Sequence, residues 1–263
     1  MERIVEEARQ LVDAGAREVI LIAQDTTAYG RDLGLEDALP TLIEKMLVAT
    51  PDLDWLRIMY AYPQQITPRL IEVMAGHSQV CHYLDLPLQH GHPDVLRRMR
   101  RPHDVDSVLA QISQLRQAMP DIALRTSLIV GYPGESNVEF EGLLDFVDEI
   151  AFDRVGTFIY SSEEGTPAAD LPDQVPDEVK EARYEQVMAR QQAISLACNQ
   201  AMLGRTVETL VEGAGDGISV GRTYRDAPEI DGLLIIEGEV SPGEMQPATI
   251  TAASEYDLWG TWT

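Results

Sequence analysis

The feature that most constrains the fold is a repeated alternation of a helix-forming segment with a short apolar segment rich in branched residues. Residues 2–14 carry apolar side chains at helical spacing and precede a predicted strand at 19–23. Four more pairs follow: helix 36–49 with strand 56–60, helix 67–75 with strand 83–88, helix 104–118 with strand 123–130, and helix 137–150 with strand 154–160. Such apolar strands separated by helices favour a parallel sheet covered on its outer face, in an open or closed β/α barrel.

The pattern changes after a long predicted helix at 177–202. Five short alternating segments then lie between clusters of Gly, Pro and Asp, which is typical of a small antiparallel barrel. They are 206–211, 218–224, 233–236, 248–252 and 256–262. We therefore predict a first domain at 1–203 and a second domain at 204–263.

Local signals support two of the predicted helix starts. Ser136 with Glu139 forms a capping-box pattern, and Thr67 before Pro68 gives a cap followed by proline at the first helical position. No apolar run approaches the roughly 20 residues that a membrane-spanning helix needs. The amphipathic, acidic N-terminus lacks the pattern of a signal peptide, so a cytoplasmic location is expected.

The charge balance constrains the partner. The 44 acidic residues outnumber the 20 basic ones, for a formal charge of -24, and the segment from residue 205 to the end has three basic and eleven acidic residues. This charge opposes binding to a phosphate backbone and favours a basic protein. An acidic surface that only maintains solubility is an equally weighted alternative.

In a β/α barrel, reactive groups lie where the strands end and in the loops that follow. Polar residues occupy all five of these positions. They are Gln24, Asp25, Thr26 and Tyr29; Tyr60 and Tyr62; Asp85, Gln89 and His90; Arg125, Ser127 and the stretch 131–135; and the stretch 160–164.

Structural explanations compete with a functional one for several of these residues. Asp25 and Thr26 have the residue types that cap a helix, and the stretch 131–135 (GYPGE) is more typical of a tight turn than of a phosphate loop. A metal site at His90 and His92 is not favoured, because no third ligand lies at a suitable spacing. The arginines at 97, 98, 100 and 101 favour a solvated helix face over an anion site. Cys81 and Cys198 are interpreted as buried thiols.

Several stretches are distinctive when taken in order. They are AQDTTAYG (23–30), YAYP (60–63), YLDLPLQH (83–90), RMRRP (98–102), LRTSLIVGYPGE (124–135), FDRVGTFIYSSEEGTPA (152–168), RDAPEIDG (225–232) and EYDLWG (255–260). Together they resemble the RimO methylthiotransferases, and the resemblance covers essentially the whole chain. Related transfer-RNA methylthiotransferases resemble it less at QDTTAYG, LPLQH and YSSEEGTPA.

The resemblance implies a partial, TIM-like radical SAM barrel that lacks its first strand, followed by a small antiparallel β-barrel of the TRAM type. It also implies that a reduced 4Fe-4S cluster cleaves S-adenosylmethionine to a 5′-deoxyadenosyl radical, which abstracts hydrogen from the β-carbon of one aspartate in ribosomal protein S-twelve. A second cluster takes part in sulfur delivery, and the product is 3-methylthioaspartate. A monomer that binds this basic protein, and neither a membrane nor nucleic acid, is expected.

The sequence departs from the family at the cluster. No C-x-x-x-C-x-x-C motif is present, so the chain supplies no metal ligands for a radical cluster and its activity alone is doubtful. The first barrel strand, the cluster loop and an upstream domain are expected to lie outside it. A transfer-RNA methylthiotransferase and a non-catalytic remnant that binds S-adenosylmethionine or a ribosomal protein stay as alternatives.

By resemblance, ten positions are predicted to bind S-adenosylmethionine. Gln24, Asp25 and Thr26 would approach the methionine end, and Asp85 and Gln89 the ribose. Arg125 and Ser127 would face the pocket, with the stretches 129–132 and 158–160, including Ile129, Tyr132 and Tyr160, beside the adenine.

Overall fold

A computed structural model describes all residues, 1–263. Its first part contains a five-stranded parallel sheet in which strands that follow each other in sequence are also neighbours in space. The strands are β1 (Glu18–Leu21), β2 (Trp55–Ile58), β3 (Val80–Gln89), β4 (Ala123–Val130) and β5 (Arg154–Ile159). The sheet is open, because β1 and β5 each have one neighbour. The predicted partial β/α barrel is confirmed.

Helices connect these strands, and their bounds lie within two residues of the predicted ones. The helices are α1 (Glu2–Asp13), α2 (Ala38–Ala49), α3 (Pro68–Gly76), α4 (Pro93–Arg98), α5 (Val105–Ala118), α6 (Asn137–Ile150) and α7 (Asp177–Gln200). Only α4 had no predicted bounds; it is a short helix that contains Arg97 and Arg98 of the arginine cluster. The capping box of α6 is formed, and the Thr67 hydroxyl accepts a hydrogen bond from the Leu70 amide at the start of α3.

The two faces of the sheet differ in polarity, and this difference positions the candidate site. Along β4, Leu124, Leu128 and Val130 are buried in the apolar cores that pack against the helices. The intervening Arg125 and Ser127 lie on the opposite face and are only partly buried. We call this opposite face of the sheet the inner face. It carries the polar side chains because the alternation of a strand directs successive residues to opposite sides.

The tail forms a closed five-stranded barrel, with order β10-β8-β7-β6-β9. Its strands are β6 (Thr206–Gly215), β7 (Ile218–Arg222), β8 (Leu234–Glu237), β9 (Met245–Ala253) and β10 (Leu258–Trp262). The prediction of an antiparallel barrel is correct for four of the pairs, whereas β8 and β10 run parallel. One parallel pair is unavoidable, since strand direction cannot alternate throughout a closed ring with an odd number of strands.

Buried ion pairs join the small barrel to the large sheet. Glu18 of β1 accepts hydrogen bonds from Arg57 of β2 and from Arg222 of β7, each at 2.7 Å. Arg225 pairs with Asp153 at 2.7 Å. These contacts fix the small barrel against the ends of the strands where β1 and β5 begin. No helix is both long and apolar enough to cross a membrane.

Candidate functional site

The ends of β1, β2 and β3 are held side by side by hydrogen bonds between their backbones. The Thr26 amide donates to the Tyr60 carbonyl at 3.0 Å, and the Ala61 amide donates to the Asp85 carbonyl at 2.8 Å. Three of the five predicted loops therefore meet at one edge of the sheet, as the parallel arrangement requires.

Two residues at this edge have backbone conformations that are uncommon for residues other than glycine. Tyr60, after β2, has φ of 55°, and Gln89, the last residue of β3, has φ of 75°. Such left-handed residues cost free energy and persist where the surrounding structure fixes them, often at ligand sites. The side-chain nitrogen of Gln89 donates only to the Pro87 carbonyl, at 3.3 Å, a contact within the end of its own strand.

Asp85 and Arg125 form the charged centre of the inner face. The Arg125 guanidinium donates to Asp85 Oδ1 through Nη1 at 2.8 Å. Asp85 is fully buried and its Oδ2 has no hydrogen-bond partner. Burial raises the pKa of Asp85, against the opposing effect of Arg125. A buried carboxylate oxygen without a donor is costly, so this atom suits a ligand hydroxyl or amine.

Aromatic and apolar side chains continue the inner face from this centre to the ends of β4 and β5. Tyr132 and Tyr160 meet edge to face with ring centroids 5.3 Å apart, and the buried Tyr160 hydroxyl has no partner. Phe158 of β5 is 56% exposed, a large apolar surface left uncovered. Ile129 and Ser127 share the half-buried side of β4. This combination suits a flat, heteroaromatic group with a few polar edges.

The first predicted loop is engaged mostly within the protein. Asp25 caps the short helical turn at 26–28: its Oδ1 accepts from the Ala28 amide and its Oδ2 from Gln65. The buried Thr26 hydroxyl donates to the Met59 carbonyl at 2.6 Å. Gln24 is exposed and free of such contacts. The capping role considered for Asp25 is observed, and Gln24 is the residue of this loop that remains open to a ligand.

The GYPGE turn after β4 is built around a carboxylate. Buried Glu135 accepts hydrogen bonds from the amides of Gly131 and Tyr132, at 2.6 and 3.1 Å, and pairs with Arg183 of α7 at 3.1 Å. Gly131 has φ of 74°, and a Cβ there would overlap the Lys180 side chain. The turn is thus a rigid support for Tyr132. Arg183 was not foreseen, because nothing in a polar helix marks which arginine turns inward.

No thiolate lies in a position to hold a cluster. Cys81 is buried near the start of β3, where burial raises the pKa of its thiol to about 12, and Cys198 is half-buried on α7. The donor set therefore does not fit an iron-sulfur cluster. His92, Asp94 and Glu139 approach one another within 4.8 Å. Their carboxylates are already paired with arginines of α4, Asp94 with Arg97 and Glu139 with Arg98, which opposes a metal ion there.

The donor set does fit an adenosyl group. The unpartnered Asp85 Oδ2, the unpartnered Tyr160 hydroxyl and the exposed Phe158 ring are the kinds of groups that a ribose and a purine satisfy. The structure joins Asp85 to Arg125 and Tyr132 to Tyr160 by direct contact, with Ser127 and Ile129 on the intervening strand face.

Two protein families match the chain by sequence. The radical SAM superfamily matches residues 1–147, and the TRAM domain matches residues 203–263. Residues 1–147 are more than half of the chain.

Two similar relatives carry the same name. "Ribosomal protein uS12 methylthiotransferase RimO" of Chloroflexus aurantiacus is 53% identical over 262 residues, which covers 98% of this chain and 58% of the relative. Its namesake in Herpetosiphon aurantiacus is 54% identical over 263 residues, covering 98% of this chain and 56% of the relative. The chain thus spans somewhat more than half the length of these relatives.

A solved structure has a similar fold. It is the radical S-adenosylmethionine methyltransferase TsrM of Kitasatospora setae, solved with cobalamin and a 4Fe-4S cluster bound. The TM-score is 0.50 at 15% identity, and the match covers 63% of this chain and 32% of that one. This similarity concerns the fold alone.

Proposed function

The chain belongs to the radical SAM superfamily, and from this premise we propose that it is the part of a uS12 methylthiotransferase that binds S-adenosylmethionine and docks the protein substrate. The observation that carries the proposal is identity above 50% to two relatives of that name along 98% of the chain. The reaction proposed for the complete enzyme is the conversion of a uS12 aspartate to 3-methylthioaspartate.

The inner face would hold the cosubstrate. Asp85 Oδ2 would accept a hydrogen bond from a ribose hydroxyl, with Gln89 beside it, and the Tyr160 hydroxyl would satisfy a polar edge of the adenine. Phe158 and Ile129 would cover the faces of the ring. When bound, S-adenosylmethionine supplies the adenosyl and methyl groups of the reaction. Because this chain has no suitable thiolates, we propose that the cluster ligands come from a segment outside it.

Replacing Gln89 by alanine or Arg125 by glutamine is expected to weaken S-adenosylmethionine binding to this chain by about 5–10-fold, the loss of one or two hydrogen bonds. Isothermal titration calorimetry would measure the dissociation constants. Gln114→Ala, on the exposed side of α5, is the matched control and should bind like the parent chain. Unchanged affinity in both Gln89→Ala and Arg125→Gln would remove these residues from the site.

The small barrel presents an acidic surface that suits a basic protein. Two of its three basic residues, Arg222 and Arg225, are buried in ion pairs with the large domain, which leaves Arg205 as its only exposed base. Eight of its acidic residues are exposed. They are Glu208, Glu212, Asp216, Glu229, Glu237, Glu239, Glu244 and Glu255. A field of this sign accelerates encounter with a positively charged partner and opposes RNA.

Binding of the chain to purified uS12 is therefore expected to weaken about 10-fold or more between 50 and 300 mM salt, since screening shortens the range of these charges. Surface plasmon resonance would show the effect mainly in the association rate. The double variant Glu208→Gln, Glu237→Gln should lower both the affinity and its salt dependence. Glu6→Gln with Glu7→Gln, on exposed α1, is the control. Equal or tighter binding to a transfer-RNA hairpin would contradict the proposal and favour a transfer-RNA substrate.

A further inference from the structure

The loop between β7 and β8, residues 223–233, extends from the small barrel to the inner face of the large sheet. It contacts one side chain from each of four consecutive strands. Arg57 of β2 donates to the Tyr224 carbonyl at 2.7 Å, and Arg154 of β5 pairs with Asp226 at 2.8 Å. Between them, Tyr83 of β3 donates to Asp231 at 2.7 Å, and Arg125 of β4 lies 3.5 Å from the same carboxylate. The second domain thus forms part of the interior of the first.

Asp231 is the residue of this loop that contacts the candidate site. Its side chain is 1% exposed, and its Oδ2 accepts hydrogen bonds from the Tyr83 hydroxyl and from the Ala227 amide, at 2.7 and 2.9 Å. These two bonds fix the carboxylate. Its Oδ1 faces the Nε of Arg125 at 3.5 Å.

Arg125 is consequently held from two sides by two domains. Asp231 of the small barrel lies at Nε, and Asp85 of β3 accepts from Nη1. A guanidinium is planar, so the Asp231 carboxylate, fixed by its own two hydrogen bonds, limits both the position of Arg125 and the orientation of its plane. The same contacts fix Asp85, whose Oδ1 is bonded to Arg125 and whose Oδ2 is left without a partner.

We propose that Asp231 is a positioning residue, supplied by the TRAM domain, which holds Arg125 and through it directs Asp85 Oδ2 at the hydroxyl groups of the cosubstrate ribose. The inference rests on the proposed function, because it needs S-adenosylmethionine on the inner face. It assigns to the TRAM domain a part in the cosubstrate site in addition to substrate docking. A partner held in place in this way is what a precise binding geometry requires.

The test compares Asp231→Asn with Asp226→Asn in the full chain. Both substitutions remove one buried carboxylate of the same loop from an interdomain ion pair, but Asp226 pairs with Arg154 and has no contact with Arg125. Asp231→Asn is expected to weaken S-adenosylmethionine binding about 5–10-fold, and Asp226→Asn less than about 2-fold. Tyr83→Phe, which removes one of the bonds that hold Asp231 and keeps the ring, should give a smaller loss and serves if Asp231→Asn does not fold.

A second readout separates positioning from a general loss of structure. Adenosine and 2′,3′-dideoxyadenosine would each compete with S-adenosylmethionine, and the parent chain is expected to prefer adenosine about 5-fold through the hydroxyl bond to Asp85. Asp231→Asn should remove this preference, whereas Asp226→Asn should keep it. Damage to the fold would weaken both nucleosides equally.

The outcomes distinguish the two proposals. If the parent chain binds no S-adenosylmethionine, the proposed function fails and the positioning role fails with it. If the parent chain binds, but Asp231→Asn affects affinity no more than Asp226→Asn or retains the preference for adenosine, only the positioning role is overturned.

Discussion

Replacing Glu18 by glutamine is expected to lower the free energy of unfolding by about 3–5 kcal/mol, because the substitution leaves buried positive charge without a counter-ion. The Glu18 carboxylate is bonded to both Arg57 and Arg222, and the three side chains are 6%, 0% and 4% exposed. Arg222 keeps the carboxylate of Glu212, whereas Arg57 keeps the Tyr224 carbonyl as its one hydrogen-bond partner and the Tyr83 ring at 4.7 Å, neither of which carries a negative charge. Arg57 therefore dominates the expected loss.

Urea denaturation followed by circular dichroism would measure this effect. Glu2→Gln is the matched control, since Glu2 also pairs with a basic residue, Lys45 at 2.9 Å, but on the exposed surface. Exposed pairs contribute little, so Glu2→Gln should leave the midpoint unchanged. Equal midpoints for Glu18→Gln and the parent chain would show that the Glu18 cluster does not hold the two domains together.

Those ion pairs mark the limit of what could be predicted from the sequence. The strands and helices were predictable because each is encoded locally, by apolar spacing and by caps such as Ser136 with Glu139. The pairing of Glu18 with Arg222 joins residues 204 positions apart. An arginine in an alternating strand looks the same whether it faces water or another domain, so the buried interface has no local signal.

The candidate site was predictable in outline for a related reason. The parallel alternation requires the strand ends to meet, which brought Asp85, Gln89 and the loop at 24–26 to one edge. The backbone strain at Tyr60 and Gln89 was not predictable, because neither residue type favours positive φ. Asp231 lies in the RDAPEIDG stretch, where it was noted only as part of a resemblance. Its role depends on the contact of the loop at 223–233 with the inner face of the large sheet, which only the tertiary structure reveals.

The arginine cluster at residues 97–101 matches the predicted solvated helix face only in part. A solvated helix face was favoured for residues 97–101, and Arg97 is indeed exposed and paired with Asp94 within α4. Arg98 instead pairs with Glu139 at the start of α6, and Arg101 donates to the Tyr62 hydroxyl. The contacts of Arg98 and Arg101 support the loops around the site, whereas the sequence showed only the charge of the cluster.

His90 gives the last prediction, a loss of stability in mild acid. This histidine is buried after β3, its Nδ1 accepts from the His92 amide at 2.9 Å, and its Nε2 has no hydrogen-bond partner. Burial, aided by neighbouring His92, lowers the pKa of His90 from its usual 6.5 to about 3, although Glu139 acts in the opposite direction. Arg98 and Arg183 also disfavour its protonated form. Glu135, 3.9 Å from Nε2, is the nearest carboxylate.

Because folding lowers this pKa, the unfolded chain binds more protons than the folded chain between pH 6.5 and about 3. Stability is therefore lost as the pH falls through this window, by about 2 kcal/mol between pH 8 and pH 5. The raised pKa values of Asp85 and Glu135 act in the opposite direction, but they are common to the parent chain and to His90→Gln and cancel in the difference between them.

Urea denaturation at a series of pH values from 8 to 5 would measure the free energies of unfolding of the parent chain and His90→Gln, which should converge by about 2 kcal/mol. His103→Gln, at an exposed position, should follow the parent chain throughout. Parallel curves for the parent chain and His90→Gln would mean that His90 takes up its proton over the same pH range in the folded and the unfolded chain, which would contradict the lowered pKa.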